Sequence, residues 1–194
     1  MLKNMLSAAV TALLLTIGSA AQAADDFTDA MQTYANEHLA GWLSDPFFIA
    51  AISAQNTETA GIGQARIDEL DALWRGQVGN DEAELIKAVM ANDAAVHLRK
   101  MVESAGGAIT EAFIMDQHGL NVAASHVTSD YWQGDEAKYQ ETYLIGPDAV
   151  HFSDIELDQS TQTVQGQVSM TIVDPATGAP IGAITVGINL TALM

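Results

Sequence analysis

The sequence predicts an α+β fold in which N-terminal helices pack on one face of a five-stranded antiparallel sheet. Apolar residues recur at helical spacing between positions 25 and 105, and Gly106-Gly107 ends that pattern. From Ala108 the apolar and polar residues alternate with a period of two, as in half-buried strands. Because the helices precede the strands rather than alternating with them, the two kinds of element are segregated and the sheet is antiparallel.

The composition indicates one acidic globular protein. The chain has 194 residues, of which 48% are hydrophobic, so it is long enough to bury a core and too apolar for a disordered acidic tail. Its formal net charge of −18 argues against nucleic acid or an anionic membrane surface as a partner. The absence of cysteine excludes zinc-ribbon, iron–sulfur and disulfide chemistry, and no cofactor is expected.

Residues 1–23 have the layout of a secretory signal peptide. Lys3 precedes an apolar run from Met5 to about Ile17, and Ala21-Gln22-Ala23 forms a cleavage site of the A-x-A type. The run is shorter than the roughly 20 residues that a transmembrane helix needs, although an uncleaved anchor remains the alternative. Cleavage after Ala23 predicts a periplasmic protein with no membrane span.

The helical half is divided by local stop and start signals. Residues 24–80 form a helical segment, and residues 81–194 form the domain proper, with 24–194 expected to be one compact unit. Asp45-Pro46 breaks the first segment and starts another helix. Asp81 and Glu84 resemble a capping box, from which the pattern predicts one continuous helix to Gly106.

Five strands follow. The alternating segments are 109–115, 120–126, 150–157, 163–173 and 180–190. Asp116 to Gly119 predicts a turn between the first two strands, and Asp174 to Gly178 predicts the last hairpin. The residues expected to share one core between helix and sheet are Leu85, Val89, Val168, Ile172, Ile184 and Val186.

A strand, a D-x-x-G turn, a second strand and the segment Thr128 to Lys138 together resemble the extracytoplasmic Cache (PAS-like, PDC) sensor domains. The closing hairpin, Val168–Asp174 followed by Ile181–Leu190, supports the resemblance. It implies a PAS-like fold with a small ligand on the sheet face opposite the helices, under the connection between strands two and three. Because the chain ends at Met194 without a kinase or chemoreceptor module, we expect a free-standing form of this domain. A membrane sensor kinase, chemoreceptor or transporter would then be the partner.

We expect the ligand-binding residues to lie on the connection and on the polar face of the sheet. They are Asp130, Tyr131, Trp132, Lys138, Tyr143 and Thr185. Aromatic side chains cover ligands and offer O–H or N–H donors, yet Trp132 serves equally as a hydrophobic clamp that pins the connection. The polar face is either wetted, as is usual for antiparallel sheets, or lines a pocket.

The two charged candidates each have a second interpretation. Lys138 either anchors a ligand carboxylate or forms a surface pair with Asp135, Glu136 or Glu141. Asp130 either binds a ligand ammonium or caps the helix that follows it. The residues alone exclude neither an acid nor an amine as the ligand.

Catalysis is not expected. The sequence lacks H-E-x-x-H, G-x-S-x-G, Walker and G-x-G-x-x-G motifs. His118 and His126 flank the second strand and form at most a weak metal site with Asp116. The sequence therefore predicts a periplasmic small-molecule-binding sensor module. The alternative is an exported structural or interaction protein whose pocket has degenerated.

Overall fold

The computed structural model describes residues 26–158 and 163–193, and the N-terminal half of this part is helical. The helices are α1 (26–34), α2 (Pro46–Glu58), α3 (Gln64–Gln77), α4 (Glu84–Met90), α5 (Asp93–Ser104) and α6 (Ala137–Gln140). A π-helical turn, Ala35–Leu39, and a 3-10 turn, Ala40–Ser44, extend α1, and a 3-10 turn, Leu190–Ala192, follows the last strand. No helix among these residues is long and apolar enough to cross a membrane. The predicted signal peptide lies outside the described residues.

The second half forms one antiparallel sheet, which confirms the α+β prediction. Its strands are β1 (Ile109–Met115), β2 (Asn121–Ala124), β3 (Val150–Phe152), β4 (Glu156–Asp158), β5 (Thr163–Val173) and β6 (Pro180–Asn189). The order across the sheet is β2-β1-β6-β5-β3, and β4 also pairs with β5. The sheet therefore has six strands rather than the five predicted.

The additional strand arises because the predicted strand 150–157 is interrupted. Phe152 pairs with Val168 and Glu156 pairs with Gln165, so one extra residue separates the two pairings on the β3–β4 side. At this point only half of the regular ladder remains: the Ser153 N–H donates to the Gln167 carbonyl at 2.9 Å, whereas the Ser153 hydroxyl, and not a backbone carbonyl, accepts the Gln167 N–H at 2.8 Å. The side chain satisfies a backbone donor of β5 and lets the edge of the sheet bend.

The predicted helix from Asp81 to Gly106 is in fact two helices, α4 and α5, separated at Asn92. The Asn92 side chain accepts the Ala95 N–H at 2.8 Å, as an N-cap residue does, and donates to the Val122 carbonyl at 2.8 Å. The first of these bonds starts α5 and the second fixes the break to β2. The predicted capping box is wrong, since α4 begins after Ala83 without a side-chain cap.

The main core lies between the sheet and α1, α2 and α5. Alternation with a period of two places Val168, Ile172, Ile184 and Val186 on this face, where they are inaccessible to solvent and join Leu98 of α5. The prediction of one common core is wrong for the two residues of α4. Val89 is buried in a second cluster and Leu85 is partly buried against it, because the break at Asn92 separates α4 from α5.

The opposite face of the sheet is covered by the connection between β2 and β3. Phe113, Met115 and Ala183 point to this side and form the second cluster with Tyr131 and Tyr139 of the connection. Side chains of α3 and α4 complete the cluster. The sheet is therefore the middle layer of three, and the connection that the sequence analysis selected is the layer that covers its second face.

Candidate ligand-binding site

A cavity of about 500 Å³ lies on the second face, between the start of α6 and the sheet. Three of its lining residues, Glu136, Ala137 and Lys138, come from the connection and form its roof. The sheet and its β3–β4 edge contribute Thr110, Glu111, His151, Phe152, Ser153, Asp154, Glu156, Gln165, Gly166, Gln167 and Gly187. The polar residues Gln165 and Gln167 of β5 thus line a cavity, whereas β6 contributes only Gly187.

The floor of the cavity is open because Gly187 has no side chain. Glu111, Gly187 and Gln167 are aligned across β1, β6 and β5. The Gln167 side-chain amide donates to the Glu111 carboxylate at 3.0 Å above the glycine. A Cβ atom at position 187 would lie 2.5 Å from Thr110 Oγ1 and 2.9 Å from Glu111 Cγ. Any larger residue would displace the Glu111 side chain.

Lys138 is the one lysine or arginine among the residues that line this cavity, and its ammonium group already has partners. Nζ lies 2.8 Å from a carboxylate oxygen of Glu136 and 3.3 Å from the Gln133 amide oxygen. It also lies 5.3 Å from the centre of the Phe113 ring, within the range of a cation–π contact. The lysine thus lines the cavity and forms the Glu136 pair that was its alternative interpretation, while its role in binding a ligand stays a prediction.

The roof is fixed to the body at two further points. The Tyr139 hydroxyl donates to the Gln117 carbonyl at 2.6 Å, and burial raises the pKa of this hydroxyl above its ordinary value. His151 of β3 lies 2.8 Å from the Glu141 carboxylate, just after α6. Since His151 also lines the cavity, its ring joins the site to the end of the roof helix.

Tyr143 supports the roof from outside the cavity lining. Its ring stacks on that of Tyr139 with a centroid separation of 5.3 Å, and burial raises the pKa of its hydroxyl. The predicted site residue therefore contacts a residue of α6 rather than the cavity itself.

Tyr131 and Trp132 lie in the second cluster. The Tyr131 ring stacks on Trp74 of α3 at 5.5 Å, and burial raises the pKa of its hydroxyl. The Trp132 indole donates to the His118 carbonyl at 2.9 Å, which matches the clamp interpretation of this residue. The buried carboxylate of Asp71 accepts the N–H groups of both Tyr131 and Trp132, at 2.9 and 3.1 Å.

Asp130 and Thr185 also lie outside the lining. The Asp130 carboxylate accepts from Gln133 and Ser129, and its carbonyl accepts from Asn121 at 3.0 Å. It does not cap the next helix, since α6 begins after Glu136. The Thr185 hydroxyl is buried 2.9 Å from that of Ser169 on the neighbouring strand. Of the six predicted residues, Lys138 alone lines the cavity, and the ligand-binding roles of all six stay predictions.

Sequence reasoning missed the acidic residues of the site. Glu111 had a detectable signal: it lies in an apolar strand with the same parity as Phe113 and Met115, so its carboxylate had to face the covered side. Asp154 and Glu156 gave no such signal, because they reach the cavity only through the bend at Ser153.

The turn between β1 and β2 does not form a metal centre. No group of three or more His, Cys, Asp or Glu side chains in the described ranges is arranged to hold a metal ion. The buried Asp116 carboxylate is instead saturated by the N–H groups of His118 and Leu120 and by the side chains of Gln55 and Thr59, at 2.8 to 3.1 Å. Its role is to fix the turn to α2.

The chain was compared with known proteins. No family model and no curated protein matches the sequence. Among solved structures it is similar to the sensor domain of the Vibrio cholerae histidine kinase DctB, with 15% identity and a TM-score of 0.47, covering 93% of this chain and 58% of that one.

Two chemoreceptor structures are similar at a lower level. The ligand-binding domain of Campylobacter jejuni Tlp3 with 4-methylisoleucine has 13% identity and a TM-score of 0.39, covering 79% of this chain and 64% of that one. The domain of Pseudomonas aeruginosa PctC with GABA has 12% identity and a TM-score of 0.40, covering 75% and 59%. The chain spans about three-fifths of these structures. These three structures are the sensor domain of a histidine kinase and the ligand-binding domains of two chemoreceptors.

Proposed function

We propose that this protein is a periplasmic small-molecule-binding module of the sensor type, and that its binding site is the cavity beneath the start of α6. The observation that supports this is a cavity of about 500 Å³ on the sheet face that the main helical layer does not cover. Ligand pockets in proteins typically measure about 300–1,000 Å³ and contain a few convergent polar groups. Thr110, Gln165 and Gln167 provide such groups here.

The construction of the roof supports a signalling mechanism. Glu136 to Lys138 lie over the cavity, while Tyr139 and Glu141 connect the same short helix to the β1–β2 turn and to β3. A ligand that contacts both roof and floor favours the closed arrangement of these elements and shifts the population toward it. The shift would be transmitted to a membrane partner such as a sensor kinase, chemoreceptor or transporter. No catalytic step is part of the proposal.

The test is a thermal-shift screen with amino acids, organic acids, amines and nucleobases. A ligand present at 100 times its Kd stabilises the folded state by about 2.7 kcal/mol, which raises Tm by several degrees. Ala137→Trp places an indole at the roof and should abolish the shift. Ala88→Trp, at an exposed alanine of α4, is the matched control and should retain it.

The screen also decides the alternative of an exported structural or interaction protein. A hit that Ala137→Trp abolishes supports the proposed site. A hit that both variants retain contradicts the location. If no compound of the panel raises Tm, the proposed function is contradicted and the alternative of a degenerate pocket is favoured.

A further inference from the structure

The side chains around the cavity carry an excess of negative charge. Four carboxylates line it, those of Glu111, Glu136, Asp154 and Glu156, against the single ammonium of Lys138. Glu136 forms an ion pair with that ammonium at 2.8 Å, whereas the other three carboxylates form no ion pair within the described ranges. With His151 neutral, the lining has a formal charge of −3.

An anionic ligand fits this lining poorly. Lys138 is the one lysine or arginine of the lining, and its ammonium group is occupied by Glu136, Gln133 and the Phe113 ring. A ligand anion would have to displace Glu136, which would leave that carboxylate without its partner. It would also approach three further negative charges, of which the partly buried Glu111 is the least screened by solvent and therefore repels an anion most.

Glu111 and Glu156 are too far apart to bind the same metal ion. Glu111 belongs to β1, while Glu156 belongs to β4, three strand positions away in the order β1-β6-β5-β4. Three interstrand spacings amount to roughly 14 Å between the backbones. The absence of a metal-holding group among the described residues agrees with this separation. The negative charges therefore lie on opposite walls of an elongated site.

From this arrangement we propose that the ligand is an organic di- or polyamine. This inference rests on the proposed function of the cavity and assigns its ligand class. One ammonium group is held by Glu111 on the β1 side, and another by Asp154 and Glu156 on the edge side. The methylene chain between them crosses Gly187 beneath Ala137. The charge of −18 on the whole chain adds a long-range attraction for cations at low ionic strength.

Isothermal titration calorimetry with defined probes tests the inference. The probes are spermidine, putrescine, succinate, alanine and calcium chloride. Spermidine should bind with a stoichiometry of one and more tightly than putrescine, and its affinity should fall as salt is added. Succinate, alanine and calcium should bind at least tenfold more weakly. Succinate is an anion, alanine has no net charge, and a single calcium ion cannot contact carboxylates on both sides of the cavity.

Charge-neutral variants locate the ammonium groups. Glu111→Gln should weaken spermidine by about tenfold or more, the loss of one charge-assisted contact. Glu156→Gln, at an exposed position that shares its ammonium with Asp154, should weaken it by about three- to fivefold. The amide at position 111 can still accept from Gln167, so the fold should be preserved. Glu103→Gln, at an exposed position of α5 away from the cavity, removes the same charge and should change the affinity by less than about twofold.

The outcomes separate this inference from the proposed function. Binding of succinate or alanine that Ala137→Trp abolishes, with no binding of amines, would leave the ligand-binding function standing and overturn the amine assignment. Equal spermidine affinity in Glu111→Gln, Glu156→Gln and Glu103→Gln would show a surface counterion and overturn it as well. If no probe binds in calorimetry and no compound raises Tm in the thermal-shift screen, both the ligand-binding function and the amine assignment are overturned.

Discussion

Asp71 of α3 holds the beginning of the connection that covers the second face of the sheet. Its carboxylate accepts the Tyr131 N–H at 2.9 Å and the Trp132 N–H at 3.1 Å, and its other oxygen lies 2.6 Å from Arg75. Asp71→Ala removes the acceptor of one fully buried and one partly buried N–H group. An unsatisfied buried donor costs about 1–3 kcal/mol, so the expected loss of unfolding free energy is about 2–4 kcal/mol.

The contribution of Arg75 to this loss is small. Its side chain is 58% exposed, and exposed ion pairs contribute under about 1 kcal/mol. Arg75→Ala is therefore the control, and it should lower the unfolding free energy by less than about 1 kcal/mol. Asp71→Asn retains an acceptor oxygen and should fall between the two variants.

Urea denaturation of the three variants measures these differences, and for a chain of this size the loss in Asp71→Ala corresponds to a fall in Tm of roughly 4–16 °C. Amide hydrogen exchange at Tyr131 and Trp132 should accelerate in Asp71→Ala and stay slow in Arg75→Ala. If Asp71→Ala costs no more than Arg75→Ala, the carboxylate does not hold the connection and the reasoning is refuted.

Three other predictions follow from the sequence and the structure. Ile184→Ala should cost about 2–5 kcal/mol in urea denaturation, while Leu85→Ala, at a partly buried position, should cost less than half as much; equal losses would contradict the division of the core. Gly119→Ala should destabilise the protein by more than about 1 kcal/mol, because φ is +79° and the new Cβ would lie 2.7 Å from the Gly134 Cα; an unchanged Tm would refute this. Mass spectrometry of exported protein should find a chain beginning at Ala24, and a chain retaining Met1 would contradict the signal peptide.

The elements whose signals are local were predictable. Asp45-Pro46 starts a helix because the aspartate accepts the Phe47 N–H and the proline occupies the first turn. The turn at Asp116 to Gly119 forms as predicted, since Gly119 has a positive φ and the aspartate accepts the N–H groups that follow it. The sheet alternation likewise placed Ile184 and Val186 in the main core.

The break between α4 and α5 was not predictable in the same way. Residues 84–104 keep a helical apolar pattern, and asparagine is not a strong helix breaker. What ends α4 at this point is the Asn92 side chain, which binds the Val122 carbonyl of a strand 30 residues later while it caps α5. No local window of sequence contains both partners of that bond.

The sequence by itself determined the fold class and the local turns, because period and turn residues act over short distances. The residues left open whether the second face is covered, and only the family resemblance implied the connection that covers it. The tertiary structure alone decided the content of the site. The bend at Ser153 brings Asp154 and Glu156 to the cavity, strand register sets Glu111 beside Gly187 and Gln167, and the ion pair with Glu136 occupies Lys138. The bend, the register and the ion pair each depend on which segments are neighbours in the fold. The interaction energy between two charged side chains is determined only when residues distant in the chain come within a few ångströms of each other.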